Sequence, residues 1–308
     1  MTTPAQGKLN TPSISIVLPT FNGSRFLAES IESCLCQDCT DWELIIVDDA
    51  STDDTPEIIA RYAARDSRIR QVRHAENKKL PAALNTGFAL AKGDLFSWTS
   101  DDNCYQPGSL AKMLACLQAR PDCGVVYTDY CLMDENSRVT TTRVVVKDPC
   151  HLVFGNSVGP NFLYRRAVHE ALSGFDEGLF LVEDYDFWLR ASVQFSLVPL
   201  HEVLYRYREH GGSLTATRQH DIAVAHKKAF LRSIGAMTWL NSRARALGLI
   251  GTSRLARARG EGQEANRILV EAIKTAPLAA CLIILRMILQ GPDVIYRLAI
   301  DRSSDGSR

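Results

Sequence analysis

Five short runs rich in β-branched and aromatic residues recur through the first 130 positions, and helical patterns separate them. The runs are "SISIVLP" (13–19), "WELIIVD" (42–48), "RIRQVR" (68–73), "DLFSWTS" (94–100) and "GVVYTD" (124–129), each bounded by turn formers. Between them Leu27, Ile31 and Leu35 repeat every four residues, as do Ile58 and Tyr62. The segment "TPEIIARYAAR" begins with Thr55 as an expected N-cap and Pro56 in the first turn, and 80–91 and 107–119 predict two further helices. This alternation constrains the chain to an α/β fold with a mostly parallel central sheet covered on both faces.

In open sheets of this kind ligands collect beyond the carboxyl ends of the strands, near the point where strand order reverses. That rule selects "PTFNGS" after the first strand, "DDASTDD" after the second and "SDDN" after the fourth. The last of these is the most demanding, because the apolar run "FSWTS" empties into two adjacent carboxylates that repel each other and gain nothing from packing. Such a pair is either a solvated turn, in which Asp and Asn bond their own backbone, or half of a site for a hard cation. Neither G-x-G-x-x-G nor G-x-x-x-x-G-K-[ST] occurs, so the usual phosphate cradles are missing. Carboxylates beside a phosphate need a divalent ion to bridge them, which favours Mn²⁺ or Mg²⁺.

After residue 130 the pattern loosens: "TTTRVVV" reads as a strand, "GPNFLYRRAVHEAL" runs from extended into helical, and "EDYDFWLRAS" starts a helix with acids in its first turn. From about 220 onward the chain is helical, and "RLARARGEGQEANRILVEAIKTAPL" has the pattern of a helical hairpin. The apolar segment "PLAACLIILRMIL" (277–289) is shorter than the ~20 residues of a membrane span and is interrupted by Arg286. A buried helix is expected there ahead of an interfacial one.

Lys plus Arg and Asp plus Glu both number 35, so no global field gathers nucleic acid, and any polyanionic ligand must be met locally. The 46% apolar and 23% charged residues suit a globular chain with a sizeable core. The polar start "MTTPAQGKLNTPS" lacks a secretory signal pattern, which predicts a reducing cytoplasm with the nine Cys as thiols. Cys34, Cys36 and Cys39 lack paired C-x-x-C spacing and are expected to serve as small core residues.

The colinear pieces "SIVLPTFNGSRFLAESIESCLCQDCTDWELIIVDDASTDDT", "ENKKLPAALNTGFALAKGD", "SDDN" and "EDYDFWLR" resemble a family 2 glycosyltransferase over about residues 13–215. The resemblance implies a GT-A-type nucleotide-sugar-binding domain at 13–218, preceded by a flexible N-terminus at 1–12 and followed by a C-terminal helical region at 219–308. It implies that the first and fourth strands are neighbours, bringing "PTFN" and "SDDN" into one cleft.

By the same resemblance, Asp49 accepts a hydrogen bond from the nucleobase, most simply uracil N3–H, while Pro19, Thr20, Phe21 and Asn22 pack around the nucleoside. A turn-capping role for Asp49 is the alternative. Asp102 is the implied metal ligand, with Asp101 and Ser100 on the sugar or ribose; Thr99 stands where the fuller family pattern has a further Asp. Lys79 either reaches phosphate or stays in solvent, and Asn85 either bonds across the cleft or fixes neighbouring loops. Asp184 matches the base that deprotonates an acceptor hydroxyl; Glu183 orients the acceptor or the helix end, and Asp186 points away. In "YRYREHGGSLT", His210 completes the metal sphere, contacts diphosphate or is structural, and Arg206 and Arg208 share one strand face as candidate phosphate clamps.

The expected activity is inverting, metal-dependent transfer from a nucleotide-diphosphate sugar, probed by the intact Asp102 and Asp184 against a non-catalytic nucleotide-sugar or glycan-binding module of the same fold. A sugar nucleotidyltransferase is the third class, disfavoured because "PTFNGSRF" offers one Gly and one Arg for a triphosphate. A glycan or lipid-linked acceptor at the inner membrane face, reached by peripheral association through the C-terminal helices, is compatible with the sequence.

Overall fold

A computed structural model describes residues 12–290 of the chain. The expected 1–12 tail and the end of the helical region, 291–308, lie almost wholly outside the described residues. The strands are β1 (Ile14–Thr20), β2 (Trp42–Asp48), β3 (Ile69–Arg73), β4 (Leu95–Trp98), β5 (Cys104–Tyr105), β6 (Cys123–Met133), β7 (Val139–Val144), β8 (Phe162–Arg165) and β9 (Ser196–Arg208). The α-helices are α1 (Leu27–Leu35), α2 (Thr55–Arg65), α3 (Leu80–Leu90), α4 (Ser109–Ala119), α5 (Arg166–Leu172), α6 (Glu183–Gln194), α7 (Leu214–Thr217), α8 (Gln219–Ser233), α9 (Ser242–Ala258), α10 (Gly262–Thr275) and α11 (Pro277–Gln290).

The strands form one sheet in the order β3-β2-β1-β4-β8-β6-β9-β5, with β7 paired to β6. The half built from the alternating β and α segments, β3 to β4, is entirely parallel. Beyond β4 the sheet is mixed: β8 runs antiparallel to both β4 and β6, whereas β6 and β9 are parallel. The change comes where the sequence pattern loosens, because β8 arrives from a long irregular connection rather than a βα crossover.

Strand β1 is buried along its whole length because both of its faces carry apolar load. Ile14, Ile16 and Leu18 pack with Leu27 and Ile31 of α1 on one side. Val17 packs with Val47 of β2 and with Ala83, Leu84 and Phe88 of α3 on the other. The second core continues without a break through Phe187 and Trp188 of α6 into Phe230 of α8 and Leu247 of α9. Arg232 of α8 adds ion pairs to Asp176 (2.7 Å) and the buried Asp186 (2.5 Å), so the helices past 218 share the core of the sheet domain.

Three local expectations change. Thr55 is the first residue of α2, and Asp54 takes the cap position, with Asp53 accepting the Thr55 N–H instead (3.1 Å). Of the three clustered cysteines only Cys34 is in the core, while Cys36 is exposed; all nine are free thiols. Helix α11 is not buried: Ala280 and Ile283 face the core, but Leu278, Leu282, Leu285 and Leu289 face outward. Among the described residues no helix is long and apolar enough to cross a membrane.

Close packing of α3 on β1 depends on Gly87, where an added Cβ would lie 2.4 Å from Val17 Cγ1. Val17 is a β-branched side chain on the central strand with no room to rotate away. Gly87→Ala is therefore expected to lower unfolding stability by about 1–3 kcal/mol, read as a lower urea midpoint with an unchanged slope.

Candidate active site

The parallel pairing of β1 with β4 sets Val17 opposite Trp98, and the Thr99 N–H extends the ladder to the Val17 carbonyl (3.0 Å). The two strand ends therefore turn outward side by side. Thr20, the last residue of β1, donates its hydroxyl to Asp101 (2.5 Å), so its side chain braces the acidic pair from beneath the loop. Burial, and next the neighbouring charge of Asp102, push the Asp101 carboxyl up to about 7. A Cβ on Gly23 would fall 2.1 Å from the Asp101 carboxylate and 2.5 Å from the Thr20 hydroxyl, so only glycine fits under this contact.

Asp102 Oδ2 lies 3.1 Å from His210 Nε2 and accepts from it when that nitrogen carries the proton, and its other oxygen is buried without a partner. An orphaned buried carboxylate oxygen beside a second, half-buried acid is costly unless a cation meets it. Among the described residues no three His, Cys, Asp or Glu side chains form a complete metal cluster. Two protein donors nonetheless fit an ion that takes its remaining ligands from substrate phosphates and water, as Mg²⁺ habitually does.

Arg206 and Arg208 do share one strand face, but that face looks at Glu29 of α1 rather than into the cleft (3.8 and 2.5 Å). The phosphate-clamp expectation is thus corrected. Arg208 is fully buried and holds the "SDDN" loop: Nε donates to the Asp102 carbonyl (2.8 Å) and Nη1 to Ser137 Oγ (2.9 Å). Its guanidinium lies 4.4 Å over the Phe26 ring, which meets His210 edge-on at 5.1 Å. Sequence alone offered no signal for this role, because strand alternation places a side chain on a face without saying what that face meets.

Asp49 lines the same cleft, yet its carboxylate is already engaged by the Lys78 N–H (2.8 Å), the Lys79 N–H (2.8 Å) and His74 Nδ1 (2.7 Å). These bonds hold Lys79 at a positive φ of 75°, with its side chain exposed at the cleft. Phe21 is 48% exposed beside Pro19 on the cleft wall and offers an open ring face. Asn22 accepts from the Thr52 N–H (2.8 Å) and ties the first loop to the second. Asn85 lies outside the cleft: it donates to the Phe175 carbonyl (2.9 Å) and Glu177 (3.0 Å) and accepts from the Phe175 N–H (2.9 Å). Its amide matches the backbone of that loop on both sides, so of the two expectations for Asn85 the geometry agrees with fixing a neighbouring loop and not with a contact across the cleft.

The cleft encloses about 1050 Å³, and Asp102, Ser100 and His210 share its lining with Glu183 and Asp184 from the first turn of α6. Leu181, two residues before this helix start, has φ 83° and lines the cleft with it. The Asp184 carboxylate accepts from the Asn156 side chain (2.8 Å) and its neighbour's N–H at Tyr185 (2.6 Å). Burial raises its carboxyl to about 6. Burial, and then the Asp184 charge, hold Glu183 higher still, and Glu183 Oε2 has no partner. Asp186 turns away to Arg190 (2.8 Å) and Arg232, as residues two apart on a helix must. Asn156 was not foreseen, since it reaches Asp184 across 28 positions from an irregular segment.

Residues 15–184 match the family model described as "Glycosyl transferase family 2". EpsE of Bacillus subtilis (strain 168), which carries a glycosyltransferase name, is 36% identical over 205 residues, covering 64% of this chain and 73% of EpsE. Among solved structures, S. aureus TarS 1–349 in complex with UDP-GlcNAc aligns with a TM-score of 0.67 at 17% identity, over 96% of this chain and 92% of that one. The mannosyltransferase PcManGT from Pyrobaculum calidifontis, in complex with GDP-Man and Mn²⁺, aligns with a TM-score of 0.52 at 19% identity, over 95% and 80%. At such identities the structural likeness establishes the GT-A-type fold.

The contact at Gly23 yields a direct test of the paired strand ends. Gly23→Ala is expected to displace Asp101 and weaken binding of the nucleotide-sugar donor at least about tenfold by calorimetry, or about 1.4 kcal/mol.

Proposed function

The chain belongs to glycosyl transferase family 2, and from that premise we propose that its cleft moves a sugar from a nucleotide-diphosphate donor to an acceptor hydroxyl with inversion at the anomeric carbon. The observation that carries this reading is the common cavity lined by the Asp102–His210 pair and by Asp184. One end supplies a place for the charged leaving group and the other a base.

The donor base would lie against Phe21, with the unused acceptor direction of Asp49 toward a uracil N3–H and Lys79 near the phosphates. Asp101 and Ser100 would meet the ribose or sugar hydroxyls. Asp102 and His210 would hold Mn²⁺ or Mg²⁺, which when bound supplies the positive charge that makes the diphosphate a good leaving group. Asp184 takes the proton of the acceptor hydroxyl while its oxygen bonds the anomeric carbon; the bond from that carbon to the diphosphate oxygen breaks, and the electron pair leaves with the diphosphate. Asn156 aims the carboxylate and supports its ionised form. Burial, and next the Asp184 charge, raise the Glu183 carboxyl and so favour its neutral form, which would keep a second negative charge away from the base and offer an O–H to the acceptor.

The acceptor class that fits is a glycan or a lipid-linked sugar, met by a cytoplasmic enzyme working at the inner face of the membrane through its C-terminal helices. Both the donor and this acceptor would be consumed in the assembly of a cell-surface polysaccharide.

Asp184→Asn is expected to lower transfer at least about a hundredfold and to leave UDP affinity within about twofold of wild type. Asp102→Ala is expected to remove the Mn²⁺-dependent part of UDP binding. Transfer persisting near the wild-type rate in the Asn variant would sink the base assignment, and a binding-only protein would show no transfer or hydrolysis across a panel of nucleotide sugars.

The pH profile offers a separate check. A base must be ionised, so kcat should fall as pH drops through about 6, the position to which burial raises Asp184. Asn156 donates to the ionised carboxylate and stabilises it; removing that bond in Asn156→Ala should move the acid limb upward by about one pH unit.

A further inference from the structure

Helix α11 exposes apolar side chains on the side away from the core. Leu278, Leu282, Leu285 and Leu289 follow one another at intervals of four, three and four residues, which is one stripe of a helix, and Ile288 lies beside it. Their exposures, 83%, 59%, 50%, 72% and 74%, contrast with Ala280 at 0% and Ile283 at 2% on the opposite side. The inner face packs against the helical core, with Ile284 and Met287 partly buried there. A helix apolar all round is ordinarily buried all round, so this outer stripe lacks a partner among the described residues.

Charge identifies the partner. The chain as a whole is neutral, but residues 219–290 carry eleven Lys and Arg against four Asp and Glu. The remainder, which holds the acidic cleft, carries the balancing negative excess. Lys274 and Arg286 are exposed next to and within α11, and Arg257 is exposed on α9 packed against it, while Arg267 of α10 is paired with Glu264 (2.8 Å). Val270 and Ile273 of α10 add exposed apolar surface close to Lys274. Fourteen residues at about 1.5 Å each reach about 21 Å, short of the ~30 Å hydrocarbon core, so the helix is suited to lying in an interface and not to crossing one.

We propose that the outer face of α11, with the basic side chains around it, docks on an anionic membrane surface, its leucines entering the lipid and its Lys and Arg side chains meeting the headgroups. Two weak terms add here, since neither a single apolar stripe nor a basic patch alone holds a protein firmly to a bilayer. The docking is independent of the chemistry in the cleft, so it stands or falls separately from the proposed transfer.

The test is co-sedimentation of the full chain, without donor or metal, with vesicles of phosphatidylcholine alone or mixed with phosphatidylglycerol. Wild-type protein is expected to pellet with the anionic vesicles and to be released by salt, and to stay in solution with the neutral ones. Leu282→Glu combined with Leu285→Glu should weaken that binding more than about tenfold while UDP affinity and circular dichroism stay unchanged. Lys274→Glu with Arg286→Glu, which leaves every leucine in place, should weaken binding to anionic vesicles by a similar factor, and serves if the first variant misfolds. Wild type remaining in the supernatant with anionic vesicles overturns the proposal. So does a leucine variant that binds vesicles normally but turns an oligomer into a monomer, because the stripe would then be covered by a second copy of the chain.

Discussion

The site rests on the parallel pairing of β1 with β4. Each strand ends in a loop that would be unremarkable alone, one small and polar and the other doubly acidic. Paired in register, they bring the Thr20 hydroxyl onto Asp101, and the loop containing Gly23 closes on the same carboxylate. A one-residue slip would send Thr20 to the opposite face and fill the Asp101 position with side chains made for the core, because strand side chains alternate. Apolar load on both faces of β1 opposes that slip, so the hydrophobic core sets the register and the register sets the site.

Electrostatics supplies the second layer. The cleft gathers Asp49, Asp101, Asp102, Glu183 and Asp184 around one cavity, and burial raises three of these carboxyls from their ordinary range. Such crowding opposes folding unless each acid is neutralised, bonded or answered by a ligand. Asp49 is answered by two backbone N–H groups and His74, and Asp184 by Asn156 and Tyr185. Asp102 keeps one oxygen unanswered, and Glu183 does likewise. Those two unmet atoms mark the places where a substrate or its counter-ion has most to gain. Arg208 supplies buried positive charge on the reverse side of the loop, where it bonds the Asp102 carbonyl without competing for its carboxylate.

The C-terminal helices extend the core of the sheet domain, yet they differ from it in charge and in how α11 is finished. An apolar segment broken by one Arg reads as a core helix when only its length and composition are weighed. Its depth was misjudged because burial depends on how many neighbours the fold provides, and α11 has core on one side only.

Much of this protein was legible in its residues. Strand and helix alternation gave the parallel half of the sheet, and the short polar runs at strand ends pointed to Asp49, Asp101 and Asp102, because patterning and turn chemistry are local properties of a sequence; Asp184, in the first turn of a helix, was singled out only by the resemblance that "EDYDFWLR" carries. Arg208 and Asn85 had roles that local pattern could not assign: each is the right residue type for a ligand contact, and each is consumed by a backbone or carboxylate brought to it from elsewhere in the chain. Asn156 and the antiparallel insertion of β8 were beyond reach for the same reason. Which side chains carry charge, and where the chain must turn, was written in the sequence. Which of those charges face one another was decided by tertiary packing, since hydrogen-bond partners separated by tens or hundreds of residues are chosen by the way the sheet closes and leave no periodic trace.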